Sequence, residues 1–370
     1  APRAPSPCAD AIATRSLAVG SLFARAARNA DLRRELDPTR VLPYARHVND
    51  HVVALDSGAL MLCFVLDGAS FETADVRDLN DWQAKLNGTW RNLASHRLAV
   101  WHHLVRREAT TYPAGEFRSD FARDLDDAYR ARLAGERMFI NDLYLTLVLH
   151  AGRDGADRTQ AWVGRLLSAS KGGLAEEDAV RTLEDAGRDL VQHLSRYGAR
   201  PLGLVQRDAL VFSEPLAMLR LVLTGERRVA PLVRGHLGAA LYDVRVIFGR
   251  EALEIREPSS ARYAGLFGIK EYPATTRPGL WDGLLSAPFP FVASQSFSFL
   301  SKAAARAVMT RKQNQMLSAR DRAASQIEGL DVALDDLMSN RFVMGDHQAS
   351  VLVYGELSRA LADHMSRARA

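Results

Sequence analysis

Cysteine is almost missing from this sequence: Cys8 and Cys63 are the only two in 370 residues. That excludes a disulfide scaffold. Cys63 lies in the apolar run Ala59–Leu66, where it reads as a small core hydrophobe, in keeping with a reducing compartment. Lysine is scarce too, with Lys85, Lys171, Lys270, Lys302 and Lys312 the only five among 48 basic residues. So strong a bias to arginine, beside so much alanine, points to GC-rich coding. Net charge is only +4, and 44 acidic residues are interspersed with no basic tract, which argues against a nucleic-acid face. There is also no long hydrophobic run. The longest stretch without charge, Gly283–Ser301, carries serines, two prolines and Gln295. It is too polar and broken for the roughly 20 apolar residues of a membrane span. Ala1–Asp10 is proline-rich, and Arg25, Arg28 and Asp31 interrupt the segment after it, so the start does not read as a signal peptide. An opening without methionine reads as a piece of a longer chain.

What is present is ordinary for a folded protein: 47% hydrophobic and 25% charged residues, with length enough for two to three domains. Residues 1–40 read as an arm with a weak helical pattern over Ala11–Ala30. The runs His51–Leu55 and Leu60–Leu66, joined by Asp56-Ser57-Gly58, read as a hairpin. Val76, Leu79, Trp82, Leu86, Trp90 and Leu93 recur at helical spacing, and Ser119 opens a second helix. Strands are expected at Leu98–Val105 and Met138–His150, followed by helices over Thr159–Ser168 and Glu176–Tyr197.

After the break at Gly198–Pro201, short strands are expected at Leu202–Gln206, Val244–Phe248 and Ala252–Arg256, with a helix over Pro215–Thr224. Tyr263–Tyr272 and Phe291–Phe299 are further strands, and Pro278–Leu285 is a short helix. Lys302–Asn340 has no proline and one glycine, Gly329, and reads as a single long helix of about 55 Å. Gln348–Tyr354 and Glu356–Ala370 close the chain as strand and helix. That final strand is expected to find its sheet partner beyond residue 370. The fold class is α+β, with mixed or antiparallel sheets and crossover helices. Two subdomains, 41–198 and 199–370, follow the arm, the second incomplete at its C-terminal end.

Catalytic signatures are absent. Ser170-Lys171-Gly172-Gly173 and Gly268-Ile269-Lys270 both fail the phosphate-loop spacing, and there is no G-x-S-x-G, H-E-x-x-H or C-x-x-C. His102 and His103 are adjacent on a predicted strand, so they point to opposite faces and do not share an ion. His47 and His51 have metal-like spacing only on a helix, which Pro43 and the following strand oppose. Asp124, Asp126 and Asp127, like Asp331, Asp335 and Asp336, read as solvated helix faces, and Asp154–Asp157 lacks the ligands of a calcium loop. The aromatic segment 281–299 is the most informative. Phe297 and Phe299 alternate toward a core. Trp281, Phe289 and Phe291, bracketed by Pro288 and Pro290, read either as core or as exposed anchors for a partner.

An ordered series of segments carries a resemblance. It comprises Leu42-Pro43-Tyr44-x-x-His47, Gly68-x-x-Phe71-Glu72-Thr73, Trp101-His102-His103-Leu104-Val105-Arg106-Arg107 and Phe139-x-Asn141-Asp142-Leu143-Tyr144-Leu145-Thr146. Tyr272-Pro273, Gln295-Ser296-Phe297-x-Phe299-Leu300 and Gly345-Asp346-His347 complete it. From about residue 40 onward the chain resembles the N-terminal half of the large type IV secretion system ATPase, the CagE/TrbE/VirB family.

The resemblance implies an α/β region that precedes a RecA-like motor, the motor holding ATP and Mg. The whole protein would energise assembly of the secretion system and substrate transport across the bacterial envelope. No motor motif occurs here, so it implies no cofactor and no catalytic residue in these residues. The implied role is docking at the cytoplasmic face of the bacterial inner membrane, beside other secretion subunits, with self-association as dimers or a hexamer. A nucleic-acid-binding module of a conjugation protein, or an enzyme built on His47 or His102 with an aspartate, are the alternatives.

Overall fold

The computed structural model describes residues 40–71, 73–109, 112–113, 115–151, 172–241, 244–257, 260–269, 271–273, 276, 279–318 and 324–369. The helices expected over Ala11–Ala30 and Thr159–Ser168 lie outside them. The chain divides into Ala1–Pro43 and a compact unit, Tyr44–Ala370, and the sheet and its covering helices all belong to the latter.

An eleven-stranded sheet organises that unit. It begins with β1 (Tyr44–His47), β2 (Val52–Leu55) and β3 (Leu60–Leu66). The turn between β2 and β3 needs Gly58, whose φ of 78° suits glycine. Helix α1 (Val76–Leu93) leads to β4 (Leu98–Glu108); α2 (Asp120–Leu133), capped by the Ser119 side chain, leads to β5 (Phe139–Leu149). Helix α3 (Gly172–His193) and the short β6 (Arg200–Pro201) complete this part of the chain.

A small separate hairpin, β7 (Leu204–Arg207) and β8 (Leu210–Ser213), runs into α4 (Glu214–Thr224). Ser213 caps α4 by accepting from the Leu216 N–H, Pro215 stands in its first turn, and Gly225 ends it in the left-handed conformation. The remaining elements are α5 (Leu237–Ala240), β9 (Arg245–Phe248), β10 (Leu253–Arg256), β11 (Ala261–Gly268), α6 (Asp282–Leu285) and β12 (Phe291–Phe299). They continue with α7 (Lys302–Ser318), α8 (Ala324–Met338), β13 (Gly345–Gly355) and α9 (Ser358–Arg369).

The α+β class holds, and every strand pairing among the described residues is antiparallel. The order is β1-β2-β3-β5-β4-β12-β13-β11-β10-β9, with β6 against β3, so segments from both sides of residue 198 share one sheet. Strand β13 is bonded on both edges, to β12 and to β11. The expectation that its partner lies past residue 370 is therefore corrected.

So is the single long helix. Lys302 Nζ donates to the Met338 carbonyl at 3.4 Å, and Gln313 Nε2 to Asp331 Oδ1 at 2.6 Å. In one straight helix residues 302 and 338 would stand about 54 Å apart. Instead α7 and α8 fold back on each other and bury Ala305, Met309 and Leu337. Leu300, Phe342 and Met344, outside both helices, pack against the same cluster.

Alternation places two apolar clusters on one face of the sheet. Leu62, Leu147 and Val100 oppose one another in register, and α3 covers them with Leu183 and Leu190 while α1 adds Leu86 and Trp90. Gly187 lets α3 approach: a Cβ there would stand 2.5 Å from Leu62 Cδ2. Further along the same face, Phe291, Ala293, Val351 and Val353 are covered by Leu361 and Met365 of α9. The opposite face, over β3 and β5, lies against α4, whose Met218 and Leu221 share a cavity lining with Val65 and Tyr144.

Candidate functional site

Between those two clusters the covered face carries polar side chains instead of leucines. His102 opposes Gln295 across the β4–β12 ladder, and His347 opposes Phe297 across the next one. They lie at a cleft of about 500 Å³. Trp90 and Arg91 of α1 form one wall, and Arg341–Val343, the segment entering β13, form the other. The walls are tied together, because Arg91 Nη1 donates to the carbonyls of Asn340 and Arg341 at 3.3 and 3.5 Å.

The polar groups in the cleft are unequally occupied. Strand β11 ends opposite Ser350, which leaves the edge of β13 open at His347. There the Tyr272 hydroxyl meets His347 Nδ1 at 2.8 Å, while Nε2 faces Gln295 Oε1 at 3.4 Å. With Nε2–H donating to the amide oxygen, Nδ1 accepts from the tyrosine. By contrast, among the described residues nothing hydrogen-bonds to the ring of His102, whose pKa burial lowers. The Gln295 amide nitrogen is likewise without an acceptor among them.

His103 occupies the other face, as the alternation of adjacent strand residues requires. Its Nδ1 lies 2.8 Å from Ser294 Oγ, and its ring stacks on Trp101 at 6.2 Å. Burial, and then the neighbouring His102, push its pKa down to about 4. This folded value lies below the ordinary 6.5, so the unfolded chain binds a proton that the folded chain refuses. The stabilising effect of neutral His103 is complete above about pH 6.5 and is lost as pH falls toward 4. We expect the urea unfolding free energy to lose on the order of 2 kcal/mol more between about pH 6.5 and about pH 4.5 in this chain than in His103→Gln. Equal slopes would show that His103 protonates freely in the fold.

The other residues singled out from sequence do not converge. Phe289 and Phe291 are 1% and 0% exposed and sit in the core under α9, so they are not the exposed anchors left open by the sequence. Proline-flanked aromatics here pack inward because β12 is a central strand. Trp281 is half-buried against the same cluster and lines a separate cleft beside Leu284. His47 Nε2 contacts Ser213 Oγ at 2.9 Å and His51 Nδ1 the Leu202 carbonyl at 3.0 Å, which are structural ties rather than a shared site. Asp126 accepts from Tyr112 and Arg130 on the surface of α2. Among the described residues no group of three or more His, Cys, Asp or Glu is placed to hold a metal, and no helix is long and apolar enough to cross a membrane. Gln295 and Trp90 escaped the sequence reading as cleft residues. Gln295 was detectable as a polar residue in phase with Phe297 and Phe299.

The site thus lies on one face of a broad antiparallel sheet that carries helices on both faces. Sequence comparison shows the family. The domain described as type IV secretion system ATPase VirB4/TrbE, N-terminal domain, matches residues 51–156. That of the CagE, TrbE, VirB family, component of type IV transporter system, matches residues 200–370. The chain is 44% identical over 340 residues to the type IV secretion system protein virB4 of Bartonella henselae, covering 92% of this chain and 43% of that protein. It is 37% identical over 329 residues to protein virB4 of Agrobacterium fabrum, covering 89% and 41%. To PtlC of Bordetella pertussis it is 30% identical over 352 residues, covering 94% and 42%. The chain belongs to the VirB4/TrbE family of type IV secretion system ATPases and corresponds to the N-terminal region of its relatives. It spans less than half the length of the relatives it matches.

Proposed function

We propose that these residues are the docking and assembly region of a type IV secretion ATPase and hydrolyse no ATP by themselves. The observation that carries this is the pairing of two facts. The chain matches relatives along 92% of its own length but 43% of theirs, and none of its 370 residues forms a phosphate-loop motif. ATP and Mg would belong to the motor portion of the longer protein. The partners would be other secretion subunits at the inner membrane, on its cytoplasmic side, and further copies of the same protein as dimers or a hexamer. The region would hold the motor in the apparatus that exports protein or DNA.

Two measurements test this. The purified 370-residue chain should show no ATP turnover above buffer; turnover that scales with chain concentration would refute the non-catalytic part. Overproduced in a bacterium carrying the cognate system, the chain should occupy docking positions without a motor and depress transport by about tenfold or more. Undiminished transport at high chain levels would remove the docking part.

A further inference from the structure

We propose that the cleft beside Trp90 is a binding site for a small planar aromatic acid. The inference goes beyond the docking role and stands without it. The cleft's volume, about 500 Å³, falls within the range of small-molecule sites, and such sites pair apolar walls with a few convergent polar groups. Both requirements are met here. The rings of Trp90, Phe297, Phe299 and Phe342 line the cleft and supply flat apolar surface.

At the floor, His102 is unengaged among the described residues and the Gln295 amide nitrogen is unspent, so both can meet donors and acceptors on the edge of a ring. A bound metal does not suit the same floor, because both nitrogens of His347 are already engaged by Tyr272 and Gln295. The charge of the ligand follows from the lining. Arg91 and Arg341 stand in the walls, and no aspartate or glutamate is among the lining residues. Among the described residues each guanidinium donates through Nη1 alone, to backbone carbonyls for Arg91 and to Asp336 for Arg341. Donors remain on both for a carboxylate, the group that arginine binds best in a fork. The guanidiniums stand in the walls and the flat apolar surface lies beneath them, so the ring lies inward and the acid outward.

Calorimetric titration of the 370-residue chain with three probes tests this. Indole-3-carboxylate presents ring and acid together, indole the ring alone, and cyclohexanecarboxylate the acid alone. Saturable binding of indole-3-carboxylate is expected, with each of the other two weaker by about tenfold or more. Gln295→Leu, which keeps the volume and removes the floor donor, and Arg341→Glu, at an exposed position, should each weaken indole-3-carboxylate by about tenfold. Circular dichroism confirms that each variant is folded, and Arg341→Glu alone decides the matter if the floor variant is not. No saturable binding, equal binding of all three probes, or binding indifferent to the substitutions in folded variants overturns the proposal.

Discussion

Replacing Phe291 by alanine lowers the free energy of unfolding by about 3–5 kcal/mol. Phe291 is fully buried on a central strand, with Arg106 opposite it on β4 and Val353 on β13. The edge of one ring meets the face of the other between it and Phe289, centroids 6.4 Å apart. Leu361 and Met365 close the cluster from above. Removing the ring leaves a cavity that several separate elements would have to collapse into, and strands held on both edges cannot move that far. Denaturant unfolding of Phe291→Ala and of Phe291→Leu separates the contributions, the leucine variant losing under about 2 kcal/mol because it keeps most of the volume. A loss below about 1 kcal/mol for alanine would mean that the ring is exposed, as an anchor for a partner has to be.

The second large effect is expected at Arg262. Its Nη2 lies 2.9 Å from Glu226 Oε1 and donates to the Thr224 carbonyl at the end of α4 at 2.9 Å. It also lies 3.7 Å from Glu257 Oε1. The Glu257 side chain is only 7% exposed, and Arg228 is its other partner. The guanidinium covers the ring of Tyr354, centroid distance 5.7 Å, whose hydroxyl burial pushes well above its ordinary pKa. Arg262→Met keeps the length and removes the charge, which leaves a buried carboxylate with one arginine instead of two. A buried ion pair broken on one side costs several kcal/mol, and Arg228 offsets part of it, so about 3 kcal/mol is expected from chemical denaturation. At an exposed pair such as Asp120–Arg123 on α2 the same kind of substitution should leave the midpoint unchanged. If the two substitutions had equal effects, the cluster around Arg262 would be solvated and not a joint between α4 and the sheet.

The strands were legible from sequence because their apolar residues alternate or run together: Leu60–Leu66, Leu98–Val105 and Phe291–Phe299 all appear close to where they were expected. Which strands neighbour one another was not. The pairing of β4 with β12 spans nearly two hundred residues of intervening chain, and nothing local in either strand names its partner. The fold-back of α7 on α8 was hidden for a related reason. Polar residues over 310–315 look the same in a solvated long helix as in the exposed side of a hairpin, and no proline marks the break. At the cleft, the opposed orientation of His102 and His103 followed from strand geometry alone. Its wall from α1 and its second wall from the β13 entry did not, since both depend on how distant elements pack. Pro288 and Pro290 marked the aromatic segment correctly, but their rigidity serves to start a central strand.

The position of β13 has a consequence for synthesis. Among the described strands, the sheet order makes it the only bridge between the β1-to-β12 half and the β11-β10-β9 half, yet it is the last of them to leave the ribosome. Until residue 355 has emerged, the nascent chain carries two half-built sheets with raw edges at β12 and β11, and each can mispair. Joining the two halves therefore waits for a late-made strand and rests on non-local pairing, the kind of contact that forms slowly. A ribosome that stalls upstream of it would release a sticky product.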